Sequence, residues 1–530
     1  MIQVILGFSA MIFLSEGIGR WVLKVLKYEP EYAMYAAPYG AAFLFCVLSM
    51  LYLPIMVCHG SFGAILIVTM IVVAASMIPL MRTWKDTLRL LFRARTIYIL
   101  MAVVLIAGLF LKYGLDEMVQ DAELLQMASY VNSPSITLTS MPLQGYQLFG
   151  SVIFWSAGMN NQYTVLFLSL YTAAIGMMMS LNFIDSFQLP NPWFRFTLIF
   201  FSLFYCTCYS WKIVGAFHSD NWRLYFTALA IYTAYRWLKT GKENIKYLLP
   251  VVFGAGLFVH EAYLMIAVEV VYCLAVFLFH EQKIRALYDL TTFMLPVVYY
   301  LFFWLATRNF LGALLFVIVC IVYYMQRNKR KMYHRIIQAE DYLIAYDIPI
   351  FYIGVPVIFL VGTFILRFFI AGYGIEYSYY ISYFSHRTVA GFLFPRGNII
   401  DMIMDIWRWA GVLVFARKAF TKEDRMIRDM AVCMVVFFIN PLCMGMLTQI
   451  TGLETYACAF EILFNPFTDI LVFIAIYKLF EWTVIGQWVL ELCLVFATLL
   501  GHITSYTSWP MGLYTDLVNP SDSVTQVESK

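Results

Sequence analysis

Apolar runs separated by short polar stretches recur along almost the whole chain. They cover 2–19, 33–57, 62–81, 97–112, 163–182, 193–211, 222–238, 247–280, 290–306, 309–326, 349–370, 402–416, 429–447, 464–479 and 484–500. Most have the length, about 17–25 residues, that a helix needs to cross a hydrocarbon core about 30 Å thick. The run 247–280 is too long for one crossing at about 1.5 Å per residue, so it is split near His260, which makes sixteen apolar segments. Strand-like alternation is absent, and helices satisfy their own backbone in lipid. The pattern predicts an all-α, polytopic transmembrane bundle.

The basic residues orient it. Cytoplasmic loops carry the excess of Lys and Arg. Five groups mark such loops: Arg82 to Arg95, Lys239 to Lys246, Lys283 with Arg285, Arg327 to Arg335, and Arg417 to Arg428. Threading the segments between them puts all five on one side and 113–162, 212–221, 371–401 and 448–463 on the other, extracytoplasmic side. Glu16 and Arg20 follow the first apolar run without a small-residue cleavage site, so this run reads as a retained span rather than a signal peptide. Tryptophans near segment ends, such as Trp21, Trp193, Trp222 and Trp407, suit an interfacial belt. The stretch 501–530 is polar and predicted to be disordered.

Composition narrows the class further. With 62% hydrophobic and 13% charged residues, a soluble protein is excluded. The net charge of +3 is small, and no basic tract interleaved with aromatics points to nucleic acid. Cys46, Cys273, Cys320 and Cys493 sit in apolar runs, where a thiol behaves as a small hydrophobe.

Against this apolar background, 113–162 stands out. Asp116, Glu117, Asp121 and Glu123 fall within eight residues. From Asp121 onward, Leu124, Leu125, Met127, Ala128 and Val131 recur at helical spacing, which predicts a surface helix with Asp121 at its start. The helix dipole there favours an ionised carboxylate. Ser140 to Tyr146 reads as a turn. Tyr146 to Trp155 is apolar but too short to span, so it re-enters or lies flat. The plainer reading of the four carboxylates is a solvated acidic loop, into which Asp116 and Glu117 fit best.

This order of elements resembles the GT-C superfamily of glycosyltransferases, which use polyprenyl-phosphate-linked sugars. The run Gln120-Asp-Ala-Glu-Leu-Leu-Gln-Met-Ala-Ser129, followed by Pro142 to Tyr146, is similar to an Asp-Ala-x-x-x-x-x-Ala pattern of some bacterial members. Asn440-Pro441 and Tyr456 to Pro466 also look similar to their C-terminal part. The resemblance implies a GT-C-like domain over 97–500, preceded by extra transmembrane helices in 1–96 and carrying a catalytic loop at 113–162. It implies a bacterial plasma membrane and transfer of a sugar from a lipid-linked donor to a glycan, lipid or protein acceptor. Asp121 is carried over as catalytic base. Three spans more than usual precede the acidic loop, the soluble C-terminal domain of larger members is missing, and between Tyr456 and Pro466 stands Glu461 where an arginine is looked for.

The chemistry fits those residue types. A base takes the proton of the acceptor hydroxyl as the anomeric bond breaks, and a carboxylate steadies the positive charge that develops on the sugar. Glu123 or Asp220 would support Asp121. Cations hold the departing lipid phosphate; Arg387 and Arg396, with His386 in the same tyrosine-rich loop, are the candidates. His260 and Glu261 stand at the split of an apolar run, where ionisable groups are suspect, although a satisfied core histidine explains His260 equally well. A divalent cation would suit paired carboxylates and phosphate oxygens, but no motif requires a cofactor. Membrane lipids are the other expected partners. Two further readings stay open: a polysaccharide polymerase or ligase acting on lipid-linked glycans, and a transporter.

Overall fold

The computed structural model describes residues 2–29, 34–91, 93–113, 121–136, 145–207, 219–369 and 422–479, less 439, 441, 452–454, 457 and 464, with six positions between 486 and 495. The elements among them are helical. In chain order they are α1 (Ile2–Val25), α2 (Ala37–Val57), α3 (Phe62–Leu91), α4 (Thr96–Tyr113), α5 (Asp121–Asn132), α6 (Gly145–Ser156), α7 (Asn161–Ser186), α8 (Pro192–Thr207), α9 (Ser219–Thr240), α10 (Leu248–Val259) and α11 (Tyr263–His280). Then follow α12 (Ala286–Phe293), α13 (Leu295–Arg308), α14 (Phe310–Gln326), α15 (Arg330–Ala345), α16 (Val355–Phe369), α17 (Lys422–Cys433), α18 (Met444–Thr451) and α19 (Pro466–Leu479).

Six of the described helices are long and apolar enough to cross a membrane, or eight if two bent pairs each count as one span. This is an integral membrane protein. The other expected segments are shorter, less apolar, broken, or outside the described residues. The segment 290–306 bends by 47° between α12 and α13, where Pro296 opens the second helix. The segment 429–447 breaks at Asn440, whose side chain accepts from the Leu442 amide at 3.0 Å and donates to the Val436 carbonyl at 3.0 Å. The basic stretch 82–89, expected as a loop, continues α3.

Helices α2, α7, α9 and α10 form the centre. α2 runs against α1, α7, α10 and α13. An aromatic cluster fills the space between them: the Phe45 ring lies 5.0 Å from Trp222, 5.3 Å from Phe258 and 5.5 Å from Phe149. Such pairs add about 0.5–1.5 kcal/mol each beyond the area they bury. Local signals start several helices. Asn160 caps α7 by accepting the Tyr163 amide at 3.0 Å, and Asn465 caps α19 through the Phe467 and Thr468 amides, both at 3.1 Å.

The basic groups meet at one end of the bundle. Lys246 bridges Glu243 at 2.6 Å and Asp289 at 2.7 Å, with Lys283 3.9 Å from Glu243. Partial burial opposes both charges, yet the lysines hold the Glu243 carboxyl below its usual value and the two carboxylates hold Lys246 above its own. At that end Arg425 pairs with Glu281, and Asp185 takes Arg95 and Arg195 together. Along α9, Arg223 and Lys239 are sixteen residues apart, about 24 Å at the helical rise. The remaining polar cluster therefore lies at the opposite end.

Candidate functional site

α9 begins at that opposite end, with Asp220 and Arg223 one turn apart in its first residues. Arg223 is buried, and its Nε donates to both oxygens of Glu461 at 2.9 Å, with Nη2 on Oε1 at 2.5 Å. A bidentate fork of this kind is the strong form of a charged hydrogen bond. Glu461 lies in the 3-10 turn Cys458–Ile462. That turn is tied to α19 by Asn465, whose Nδ2 donates to the Glu461 and Ile462 carbonyls at 2.9 and 3.0 Å. The same asparagine caps α19, so one side chain sets both elements.

His260 supplies the third member. The long apolar run does divide there: His260 is extended (φ −151°, ψ 138°) between α10 and α11. Its Nδ1 accepts the Ala262 amide at 3.0 Å, which satisfies a donor that opens α11. Its Nε2 lies 3.0 Å from Arg223 Nη1. A neutral imidazole has one acceptor nitrogen, so only one of these contacts is a hydrogen bond in a given tautomer. Glu261 is half-buried in the same turn.

The acidic segment reaches this cluster through α6. Tyr146 Oη accepts from Trp222 Nε1 at 2.9 Å, and Trp222 immediately precedes Arg223. A Cβ at Gly145 would stand 2.5 Å from the Phe258 ring and 2.8 Å from its carbonyl oxygen, which explains a glycine there. α6 therefore packs into the bundle beside the break at His260 rather than lying flat on it. Its neighbour α5 spans Asp121–Asn132 and is helical, as the periodicity predicts; Met127 is fully buried and Val131 half-buried. α5 packs on α6 and α3.

Asp116, Glu117, His386, Arg387 and Arg396 lie outside the described residues, as does the stretch 501–530. Among the described residues no three His, Cys, Asp or Glu side chains converge as ligands for a metal ion. From sequence, Arg223 groups with Asp220 around one turn as a possible partner of the acidic loop, but nothing there pairs it with Glu461 or His260, and nothing singles out Glu269. Glu269, in α11, is fully buried, and neither of its carboxylate oxygens has a hydrogen-bond partner among the described residues; nor has the buried Tyr263 hydroxyl. Both lie within electrostatic reach of Glu461. A charged letter inside an apolar run is itself a signal, and it marks Glu269.

Fold and site together define a polytopic helical membrane protein with a buried arginine–glutamate pair beside a half-buried histidine at one end. No protein family, curated protein or solved structure matches the chain.

Proposed function

We propose that the protein is a membrane-embedded glycosyltransferase that moves a sugar from a polyprenyl-phosphate-linked donor to an acceptor on the extracytoplasmic face. One observation carries the reading: a buried arginine, Arg223, is held by Glu461 and faces His260 beside the helix that leads back to Asp121. Buried guanidinium groups in membrane proteins are costly and mark sites of function, and a planar fork suits a phosphate. In the reaction the acceptor oxygen attacks the anomeric carbon, the bond from that carbon to the phosphate oxygen breaks, and the polyprenyl phosphate leaves with the electron pair. The acceptor's proton passes to Asp121. Arg223 takes a share of the phosphate-holding role first given to Arg387 and Arg396.

Asp121→Asn is expected to lower transfer at least about 100-fold, in membranes supplied with a labelled lipid-linked sugar and at unchanged protein levels. Full activity would remove Asp121 from the mechanism. A cation-coupled transporter is the second reading, favoured by Glu269, a carboxylate inside a candidate span. On that reading Glu269→Gln abolishes uptake driven by an ion gradient. On the first, the same variant retains sugar transfer and vesicles show no such uptake.

A further inference from the structure

The elbow between α14 and α15 lies at the basic end, far from the cluster just described. The two helices meet at 95°. Ala313 is buried in α14, while Phe310, Leu311, Leu315, Val319, Val322 and Met325 are exposed along it. A helix apolar on so many sides in an integral membrane protein is bathed in acyl chains, so lipid headgroups surround its end. That end carries the charge. Lys329, Arg330, Lys331, His334 and Arg335 are all exposed, and the chain has no Asp or Glu from 310 to 339.

The elbow is held in place by groups that these cations do not use. The Arg327 guanidinium stacks 3.9 Å from the Tyr288 ring centre and 4.7 Å from that of Tyr324. At the far end of α15 the buried Glu340 accepts the Arg285 and Leu287 amides at 3.1 and 2.9 Å, which fastens α15 to the start of α12. With both ends fixed, Ile336, Ile337, Leu343 and Ile344 are half-buried while the lysines and arginines point outward. None of Lys329, Arg330, Lys331 or Arg335 forms an ion pair with a described residue.

The geometry points to a binding surface for anionic phospholipid headgroups, formed by Lys329, Arg330, Lys331 and Arg335 where α14 leaves the bilayer. Positive charge beside an acyl-covered helix is complementary to a headgroup phosphate that also bears a tail. Each such charge contributes about fivefold in affinity for an anionic membrane surface.

The test uses the full chain in nanodiscs doped with labelled lipid, read by energy transfer from the protein's tryptophans. The wild type is expected to enrich labelled phosphatidylglycerol over phosphatidylcholine at least about tenfold, and K329Q/R330Q/K331Q/R335Q to lose that preference. About 1 M salt, which screens beyond about 3 Å, should erase it in the wild type. An unchanged preference in the quadruple variant, or none in the wild type, overturns the proposal. Displacement of the lipid by millimolar inorganic phosphate overturns it too, since the surface would then be a free-anion site. Should the quadruple variant fail to fold, K331Q and R335Q singly, with the wild-type salt titration, decide the matter.

Discussion

Arg223→Leu is expected to destabilise the protein by about 3–5 kcal/mol, because it leaves the Glu461 carboxylate buried without the guanidinium that holds both its oxygens. The double variant Arg223→Leu/Glu461→Leu should recover most of that loss, since replacing a whole buried ion pair by apolar residues is often neutral or better. Activity separates the two effects. If the arginine holds a lipid phosphate, the double variant folds and still transfers no sugar. Thermal unfolding in detergent, followed with a transfer assay on the same samples, gives both readouts. A double variant as unstable as the single would show that the fork does more than neutralise its own partner. A stable and fully active one would make the cluster purely structural.

What the sequence made legible at this end is what local pattern can encode. The split near His260 followed from the length of the apolar run, and the helical state of α5 followed from the spacing of Met127 and Val131. The ion pair did not follow, because its members stand 238 positions apart. A search for an arginine between Tyr456 and Pro466 finds Glu461 instead; the arginine beside it comes from the start of α9. Glu269 was visible as a carboxylate in an apolar run, but counting charges at segment ends passed over it. At the other end, the run Arg327 to Arg335 served as a loop marker, and charge counting is blind to the right-angled helix that α15 makes of its second half. The packing of α6 into the bundle rests on the close approach of Gly145 to Phe258, which no periodicity announces.

The same limit applies to the crossing of α1 and α2, where the second large effect is expected. Glu16 looked like a polar residue after an apolar run; in the structure it is fully buried, accepting from Arg20 Nε at 2.9 Å and from the Ala37 amide at 2.8 Å. That fixes the start of α2 on α1. One residue away, Ser15 and Gly19 face Ala36 and Gly40, small residues four apart on both segments, the spacing that lets helix backbones touch in membranes. A Cβ at Gly40 would stand 1.7 Å from the Ser15 carbonyl oxygen, and one at Gly19 would stand 1.9 Å from that of Ala36. Neither obstacle is a flexible side chain, so the helices themselves must part. Gly40→Ala should therefore destabilise by about 3 kcal/mol or more, at the upper end of overpacking costs. Lipid supplies no hydrophobic force between helices to offset the lost packing. Gly108→Ala in α4 is the control. Nothing lies within 4 Å of a Cβ there, and a helical glycine replaced by alanine gains up to about 1 kcal/mol. Unfolding midpoints that fall for Gly40→Ala and hold or rise for Gly108→Ala would establish the crossing as a backbone contact; equal midpoints would mean that α1 and α2 stand further apart.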